Sequence, residues 1–162
     1  MFVDPTSGDF RENLTPVQIK PCDGSVGQKW DVITAGKHNN QPGFALIVST
    51  EVILVTFTKN NFLFSTILTC SFQTNACLNF DPRRAAGNQV ILFSCGGRAD
   101  GSGAVTDSQL FPFKSGQTAL SLQPKNGNNA ICLAPVNGLL DRVACSGASN
   151  QVRNVIHLVF PS

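Results

Sequence analysis

The residues with the most distinctive chemistry are six cysteines: Cys22, Cys70, Cys77, Cys95, Cys132 and Cys145. They include no Cys-x-x-Cys pair, and neither His38 nor His157 lies near one of them, so the spacing does not predict a zinc site. Six cysteines in 162 residues without a metal motif favour disulfides, and therefore an oxidising compartment. However, the first sixteen residues, MFVDPTSGDFRENLTP, have neither the basic nor the apolar region of a signal peptide. The cysteines and the first residues therefore give conflicting expectations about export.

Side chains arranged for catalysis are not found. The eight aspartates stand mostly beside Gly or Pro, where Asp favours turn geometry, and neither histidine is near a nucleophile with a paired acid. The glycine-rich stretch 96–103, GGRADGSG, lacks the Lys-Ser/Thr of a phosphate-binding loop. A net charge of +2 and 14% charged residues disfavour a nucleic-acid partner. We therefore predict a protein that is not an enzyme and that uses no cofactor or metal.

The elements that carry the cysteines are predicted to be strands. Val, Ile, Thr and Phe cluster along the chain, and 14 glycines and 9 prolines supply turns, so we expect one all-β domain. Three segments resemble one another: Thr15–Trp30, Ala76–Gly97 with its continuation 107–113, and Ile131–Gln151. Each has an apolar strand that ends in a cysteine, followed some residues later by a glutamine. Such internal repeats indicate one supersecondary unit used three times.

This pattern resembles the ricin B-type lectin family, whose repeats end in a Gln-x-Trp motif. Gln28-x-Trp30 matches in full, Gln109-x-Phe111 has a smaller aromatic residue, and Gln151-x-Arg153 matches only at the glutamine. The resemblance implies a β-trefoil of three repeats closed around a common axis. In that fold the Trp30 and Phe111 rings would fill the shared core, and the glutamine amides would bind buried backbone groups.

The resemblance also implies two disulfides and a site for sugar. The Cys-Leu…Cys frames of the second and third repeats fit the family's intra-repeat bridges, Cys77–Cys95 and Cys132–Cys145. Carried over by position, the sugar-binding residues of the second repeat are Asn79, Phe93, Ser108 and Gln109. The same positions are unsuited to sugar in the other repeats: Phe2 and Lys20 in the first, Ala134 and Val143 in the third.

The expected function is therefore a secreted, carbohydrate-binding module with mostly degenerate sites, whose ligand would be a glycan, with galactose-type sugars the first to test. Asn79 replaces the family's usual Asp, and Phe93 its usual Trp or Tyr, so each contact is weaker than the family norm. The alternative is a trefoil without lectin activity that acts as a protein-interaction module or as the noncatalytic subunit of a larger secreted enzyme.

One apolar segment interrupts the repeats. Cys22 and Cys95 are 73 positions apart but Cys95 and Cys145 only 50, and excising the 22 residues 52–73 reduces the first interval to 51. As protein, this segment would be an apolar hairpin that turns at Lys59-Asn60-Asn61, and these residues also argue against a membrane span. As nucleotide sequence, it fits a retained intron: Val52 allows an initial GT, Leu68-Thr69 a branch-point-like string, and Ser71-Phe72-Gln73 a pyrimidine run that ends in CAG. We favour the retained intron.

The predicted boundaries follow from this arrangement. Repeat one covers about 1–50, the insertion 52–73, repeat two about 74–118 and repeat three about 119–151, within a single domain 1–162. The residues 152–162 are an atypical tail, because VRNVIHLVFPS replaces the expected aromatic residue and closing strand, and Val152-Arg153 can be encoded by a donor-like string. We also expect the first repeat to begin just after its Cys-Leu, which leaves Cys22 without its partner.

Overall fold

Antiparallel strands make up most of the described chain. A computed structural model describes residues 2–3, 16–21, 28–36, 39, 41–49, 52–61, 64–73, 76–96, 105–114, 116–117, 119–148 and 151–154. The strands are β1 (Phe2–Val3), β2 (Val17–Gln18), β3 (Trp30–Ile33), β4 (Phe44–Ser49), β5 (Val52–Asn61), β6 (Phe64–Gln73), β7 (Ala76–Phe80), β8 (Val90–Ser94), β9 (Phe111–Pro112), β10 (Ala119–Ser121), β11 (Ile131–Val136), β12 (Leu139–Ala144) and β13 (Val152–Asn154). Two 3₁₀ turns, Asp107–Gln109 and Lys125–Gly127, lie between strands. The prediction of an all-β protein is confirmed.

Three hairpins share one register relative to a cysteine. They are β1–β2, β7–β8 and β11–β12. A cysteine follows the second strand of each hairpin: Cys22, Cys95 and Cys145. The residue four positions before that cysteine is paired with a residue of the first strand. These pairs are Gln18 with Phe2, Ile91 with Asn79, and Asp141 with Ala134. Because a slip of one residue would exchange the two faces of a strand, this shared register places corresponding side chains on corresponding faces.

The second strands of these hairpins meet one another. Each of β2, β8 and β12 contacts the other two. Pro16 pairs with Ile91, and Leu139 pairs with Gln18. Both pairs join the residue six positions before one cysteine to the residue four positions before another. The third hairpin therefore pairs with the first through the same two positions that pair the first hairpin with the second.

The larger of two buried apolar clusters among the described residues, called the core below, lies between the hairpins. Val17, Val90 and Leu140, which each stand five positions before a cysteine, are all at most 1% exposed and belong to it. The core residues are Val17, Ala45, Ile47, Leu78, Phe80, Val90, Leu92, Phe111, Phe113, Leu120, Leu122, Leu133 and Leu140. Each large apolar side chain buried there contributes on the order of 1.5–3 kcal/mol to stability relative to the same side chain exposed. The shared register therefore positions side chains that contribute much of the stability of the fold.

The remaining strands close the sheets around this core. β4 pairs with β3, with β7 and with β9, whereas β10 pairs with β13. Phe111 of β9 stands opposite Ala45, and Arg153 of β13 stands opposite Leu120. Ala45 and Leu120 are both buried in the core. β4 and β10 therefore have matching roles, because each places a buried residue opposite the residue two positions after a glutamine.

The segment 52–73, predicted to be an insertion, forms a long hairpin of its own. β5 and β6 pair over ten positions, from Val52 with Gln73 to Asn61 with Phe64, and within the described residues they form a separate two-stranded sheet. The predicted turn at Lys59-Asn60-Asn61 is wrong, since all three belong to β5 and the chain reverses after them. Because Val52 and Gln73 are partners, the insertion leaves and rejoins the chain at one place.

Both predicted disulfides are present. Cys77–Cys95 closes 18 residues and Cys132–Cys145 closes 13, with Cα–Cα distances of 5.0 and 4.9 Å. Each bridges the start of one hairpin strand to the residue after the other, and each stabilises the fold by about 2–4 kcal/mol. These bridges agree with an oxidising environment. Cys22 lies outside the described residues, as does most of the predicted tail 152–162. Within the described part of the chain, no helix has the length and apolarity needed to cross a membrane.

Candidate functional site

Three glutamine side chains close the ends of the three hairpins in the same way. The Gln109 Nε2 donates to the Ser94 carbonyl at 3.0 Å, and its Oε1 accepts from the Gly96 N–H at 3.0 Å. Ser94 and Gly96 are the neighbours of Cys95. One side-chain amide therefore binds the backbone on both sides of Cys95. It supplies a hydrogen-bond partner to one carbonyl and to one N–H at the end of this strand.

Gln151 binds both of the corresponding atoms, and Gln28 binds the corresponding carbonyl. The Gln151 Nε2 donates to the Ala144 carbonyl at 2.8 Å, and its Oε1 accepts from the Ser146 N–H at 2.9 Å. The Gln28 Nε2 donates to the Pro21 carbonyl at 2.6 Å, and Pro21 is the residue before Cys22. Gln28 and Gln151 each follow their cysteine by six positions, whereas Gln109 follows Cys95 by fourteen because the glycine-rich stretch 97–104 intervenes.

The residues two positions after these glutamines differ in burial. Phe111 is fully buried in the core. Trp30 is half-buried and packs against the core, and its indole Nε1 is a buried donor for which no acceptor is found among the described residues. Arg153 takes the third position, where its backbone pairs with Leu120.

The residues predicted to bind sugar are partly brought together. The Ser108 hydroxyl donates to Asn79 Oδ1 at 2.8 Å, across 29 residues of chain. The Thr106 hydroxyl is in contact with the Ser108 hydroxyl. Since the Ser108 proton is directed to Asn79, Thr106 donates to Ser108, and the hydrogen bonds run in one direction along the three side chains. Asn79 Oδ1 is occupied as an acceptor, so the Asn79 Nδ2 is the part of the amide left to act as a donor.

Phe93 lies on the same face of the hairpin as Asn79. It stands opposite Cys77 on β8, two residues along from the pair Asn79–Ile91, and strand alternation puts these positions on one face. The opposite face carries Leu78 and points into the core. Phe93 is half-buried and Asn79 is 7% exposed. A half-buried aromatic residue and a largely buried amide thus share one face of the hairpin.

Gln109 does not extend this polar group outward. Its side chain is fully buried, and both amide heteroatoms are bound to backbone beside Cys95. A ligand could therefore reach its atoms only by displacing those bonds. The geometry assigns Gln109 to the architecture, and the surface group consists of Asn79, Ser108 and Phe93.

The turn that carries Ser108 is held by a lysine that the sequence did not single out. The Lys125 Nζ donates to Asp107 Oδ1 at 2.8 Å and to Gln41 Oε1 at 2.6 Å, and it lies 5.1 Å from the centre of the Phe44 ring. Lys125 thereby links β4, the turn Asp107–Gln109 and the turn Lys125–Gly127. These contacts join residues up to 84 positions apart, and no spacing in the sequence indicates them.

The loop between β7 and β8 is charged and closely bonded. The Arg83 guanidinium donates to both carboxylate oxygens of Asp81, at 2.8 and 3.0 Å. These hydrogen bonds lower the pKa of Asp81 below its ordinary value, while partial desolvation acts in the opposite direction. The Gln89 Nε2 donates to the carbonyls of Pro82 and Arg84. The loop next to Asn79 is therefore held by its own side chains.

The third hairpin offers no comparable group. Ala134, at the position of Asn79, is 1% exposed, and Val143, at the position of Phe93, is half-buried. In the first hairpin Lys20 is exposed, and the side chain of Phe2 lies outside the description. Among the side chains that the structure describes, a polar and an aromatic residue therefore occupy these two positions together in the second hairpin alone.

The described residues contain no cluster of three or more His, Cys, Asp or Glu side chains that could hold a metal ion. Comparisons of the chain with family models, with curated proteins and with solved structures found no match.

Proposed function

We propose that the chain is a β-trefoil of the ricin B type. Two independent sets of contacts support this fold: the common register of three hairpins relative to their cysteines, and the three glutamine amides that bind the carbonyl before each of those cysteines. A side-chain clamp repeated at three distant places requires three similar backbone ends, which is the expectation from three structural repeats.

The proposed function is non-catalytic carbohydrate binding at the second repeat. The observation that carries it is the directed chain of hydrogen bonds from Thr106 through Ser108 to Asn79, which shares a hairpin face with Phe93. A pyranose would stack its C–H face on Phe93, and one of its hydroxyl oxygens would accept from the Asn79 Nδ2. A carboxamide donates a neutral hydrogen bond, so the affinity should be below that of a site with a carboxylate.

The test is glycan-array and galactose-column binding of the wild type and of Phe93→Ala. The matched control is Val143→Ala, which removes the side chain at the same register position of the third hairpin, where no polar group is present. The proposal expects binding by the wild type and by the control, and loss of binding by Phe93→Ala with an unchanged melting temperature. Equal binding by wild type and Phe93→Ala would refute the site.

The low exposure of Asn79, at 7%, favours a second candidate function. Such a module would bind another protein, as an interaction domain or as the noncatalytic subunit of a larger secreted enzyme. No binding to any glycan, together with co-purification of one larger protein from the native secretion, would support this candidate over the lectin.

The retained-intron hypothesis for 52–73 belongs to the same proposal. The insertion leaves and rejoins the chain at a paired position, and its excision brings the cysteine intervals of the repeats to 51 and 50 positions. Sequencing of the spliced transcript tests the hypothesis, since a mature message that still encodes Val52–Gln73 would refute it. Secretion, proposed from the two disulfides and the resemblance, is tested by locating the native protein in culture medium.

A further inference from the structure

The chain contains two Asn-Gly sequences, and the structure places them in opposite environments. Asn137-Gly138 forms the two-residue loop between β11 and β12, and both residues are exposed. Their φ angles of 50° and 81° are those of a type I′ hairpin turn. Asn126-Gly127 lies in the second 3₁₀ turn, where Gly127 is buried.

We propose that Asn137 is a site of spontaneous modification, at which the side-chain amide is converted to aspartate and isoaspartate, whereas Asn126 is protected by the fold. The reaction needs only water and a solvent base. The Gly138 nitrogen loses its proton and attacks Asn137 Cγ; the new N–Cγ bond forms, the Cγ–Nδ2 bond breaks, and Nδ2 takes up a proton and leaves as ammonia. Water then opens the five-membered succinimide at either carbonyl.

Protection of Asn126 follows from two hydrogen bonds and from the burial of its side-chain oxygen. Its Nδ2 donates to the Phe80 carbonyl at 3.0 Å, and its Oδ1 is buried. The attacking nitrogen would be that of Gly127, whose N–H donates to the Pro124 carbonyl at 2.8 Å. Both reacting groups are thus bound and out of reach of solvent base. At the exposed turn, by contrast, the described residues supply no acceptor for the Gly138 N–H.

The modification would act on a junction between hairpins. The Ile19 N–H donates to the Gly138 carbonyl at 2.8 Å, and Leu139 pairs with Gln18. Aspartate is tolerated in a type I′ turn. Isoaspartate routes the backbone through Cβ and adds one atom, so a two-residue loop cannot keep the Val136–Leu139 pairing. The isoaspartyl form should therefore loosen β2 from β12.

The test is peptide mapping by mass spectrometry, with enzymatic methylation of isoaspartate, during incubation of the folded protein at mildly alkaline pH. We expect the Asn137 peptide to convert at least about tenfold faster than the Asn126 peptide, a ratio set by the loss of a buried hydrogen bond. In denaturant, where both sequences are exposed, the two rates should become similar. Asn137→Gln should abolish the early product. Equal rates in the folded protein, or conversion of Asn126 first, would overturn the proposal.

Discussion

The glutamine clamp at Cys95 makes the sharpest prediction, because Gln109 is fully buried and holds two backbone groups. Gln109→Ala removes both of these hydrogen bonds and takes away the acceptor that Gln109 supplies to the buried Gly96 N–H. An unsatisfied buried donor costs about 1–3 kcal/mol, so the free energy of unfolding should fall by at least about 1–3 kcal/mol. That is a large share of the stability of a domain of this size.

In the variant Gln109→Glu, pH determines whether one or both of these hydrogen bonds can form. The ionised carboxylate still accepts from Gly96 but faces the Ser94 carbonyl with no proton to donate, whereas the neutral acid restores that donor. Burial disfavours the charged form and raises the pKa of this carboxyl above its unfolded value. The stability of the variant is therefore fully present below the unfolded pKa and is lost as pH rises through the folded pKa. The wild-type amide does not titrate, so it lacks this dependence.

Urea unfolding measured between acidic and neutral pH tests both variants. Gln117→Ala is the matched control: the Gln117 amide binds the Lys114 N–H in an exposed turn, so its loss should change stability by no more than about 0.5 kcal/mol. The reasoning is refuted if Gln109→Ala unfolds at the wild-type urea concentration, or if Gln109→Glu and the wild type have parallel pH profiles.

Three further predictions follow from the fold. A chain that lacks residues 52–73 should keep its circular dichroism spectrum and melt no lower than the full chain, because the two ends of the excised segment are paired neighbours; failure to fold would contradict the assignment of the insertion. A cysteine added directly before Met1 continues the register of the first hairpin to the position that Cys77 and Cys132 occupy in theirs, so it should form a third disulfide with Cys22 and leave one of the seven cysteines as a thiol; three thiols in the mass spectrum of the non-reduced protein would count against three repeats. Arg83→Gln should remove the side-chain hydrogen bonds that lower the pKa of Asp81. In the wild type these bonds add stability above the unfolded pKa near 3.8, and this stability is lost as pH falls; the variant should lack this part of the acid unfolding curve. An unchanged acid unfolding curve would show that the pair does not contribute to stability.

Much of the architecture could be predicted because it depends on local spacing. Strand patterning and turn residues predicted an all-β chain, and the resemblance of the repeated Cys-Leu frame to the ricin B-type family predicted the bridges Cys77–Cys95 and Cys132–Cys145, both of which the structure has. The limits 52–73 of the insertion coincide with the strands β5 and β6, because those limits came from comparing cysteine intervals between repeats. Its turn was misplaced, since polar residues such as Lys59 and Asn60 are tolerated within a strand.

The site was less predictable because its decisive contacts join distant parts of the chain. Asn79 and Ser108 were predicted together by position, whereas Gln109 was predicted both to bind buried backbone groups and to bind sugar, and its burial is in keeping with the first of these roles. Lys125 meets Asp107 and Gln41 only through the packing of three separate loops. Such contacts have no periodicity, so they appear only once the chain is folded.

The paired ends of the β5–β6 hairpin have a practical consequence. Between Ser49 of β4 and Ala76 of β7 the chain carries a long excursion whose first and last strand residues, Val52 and Gln73, are hydrogen-bonding partners. The excursion has ends close together and a backbone ladder of its own, so the surrounding sheets need not adjust to its length. This junction is therefore the place to graft an epitope, a reporter loop or a receptor-binding peptide for display on the domain.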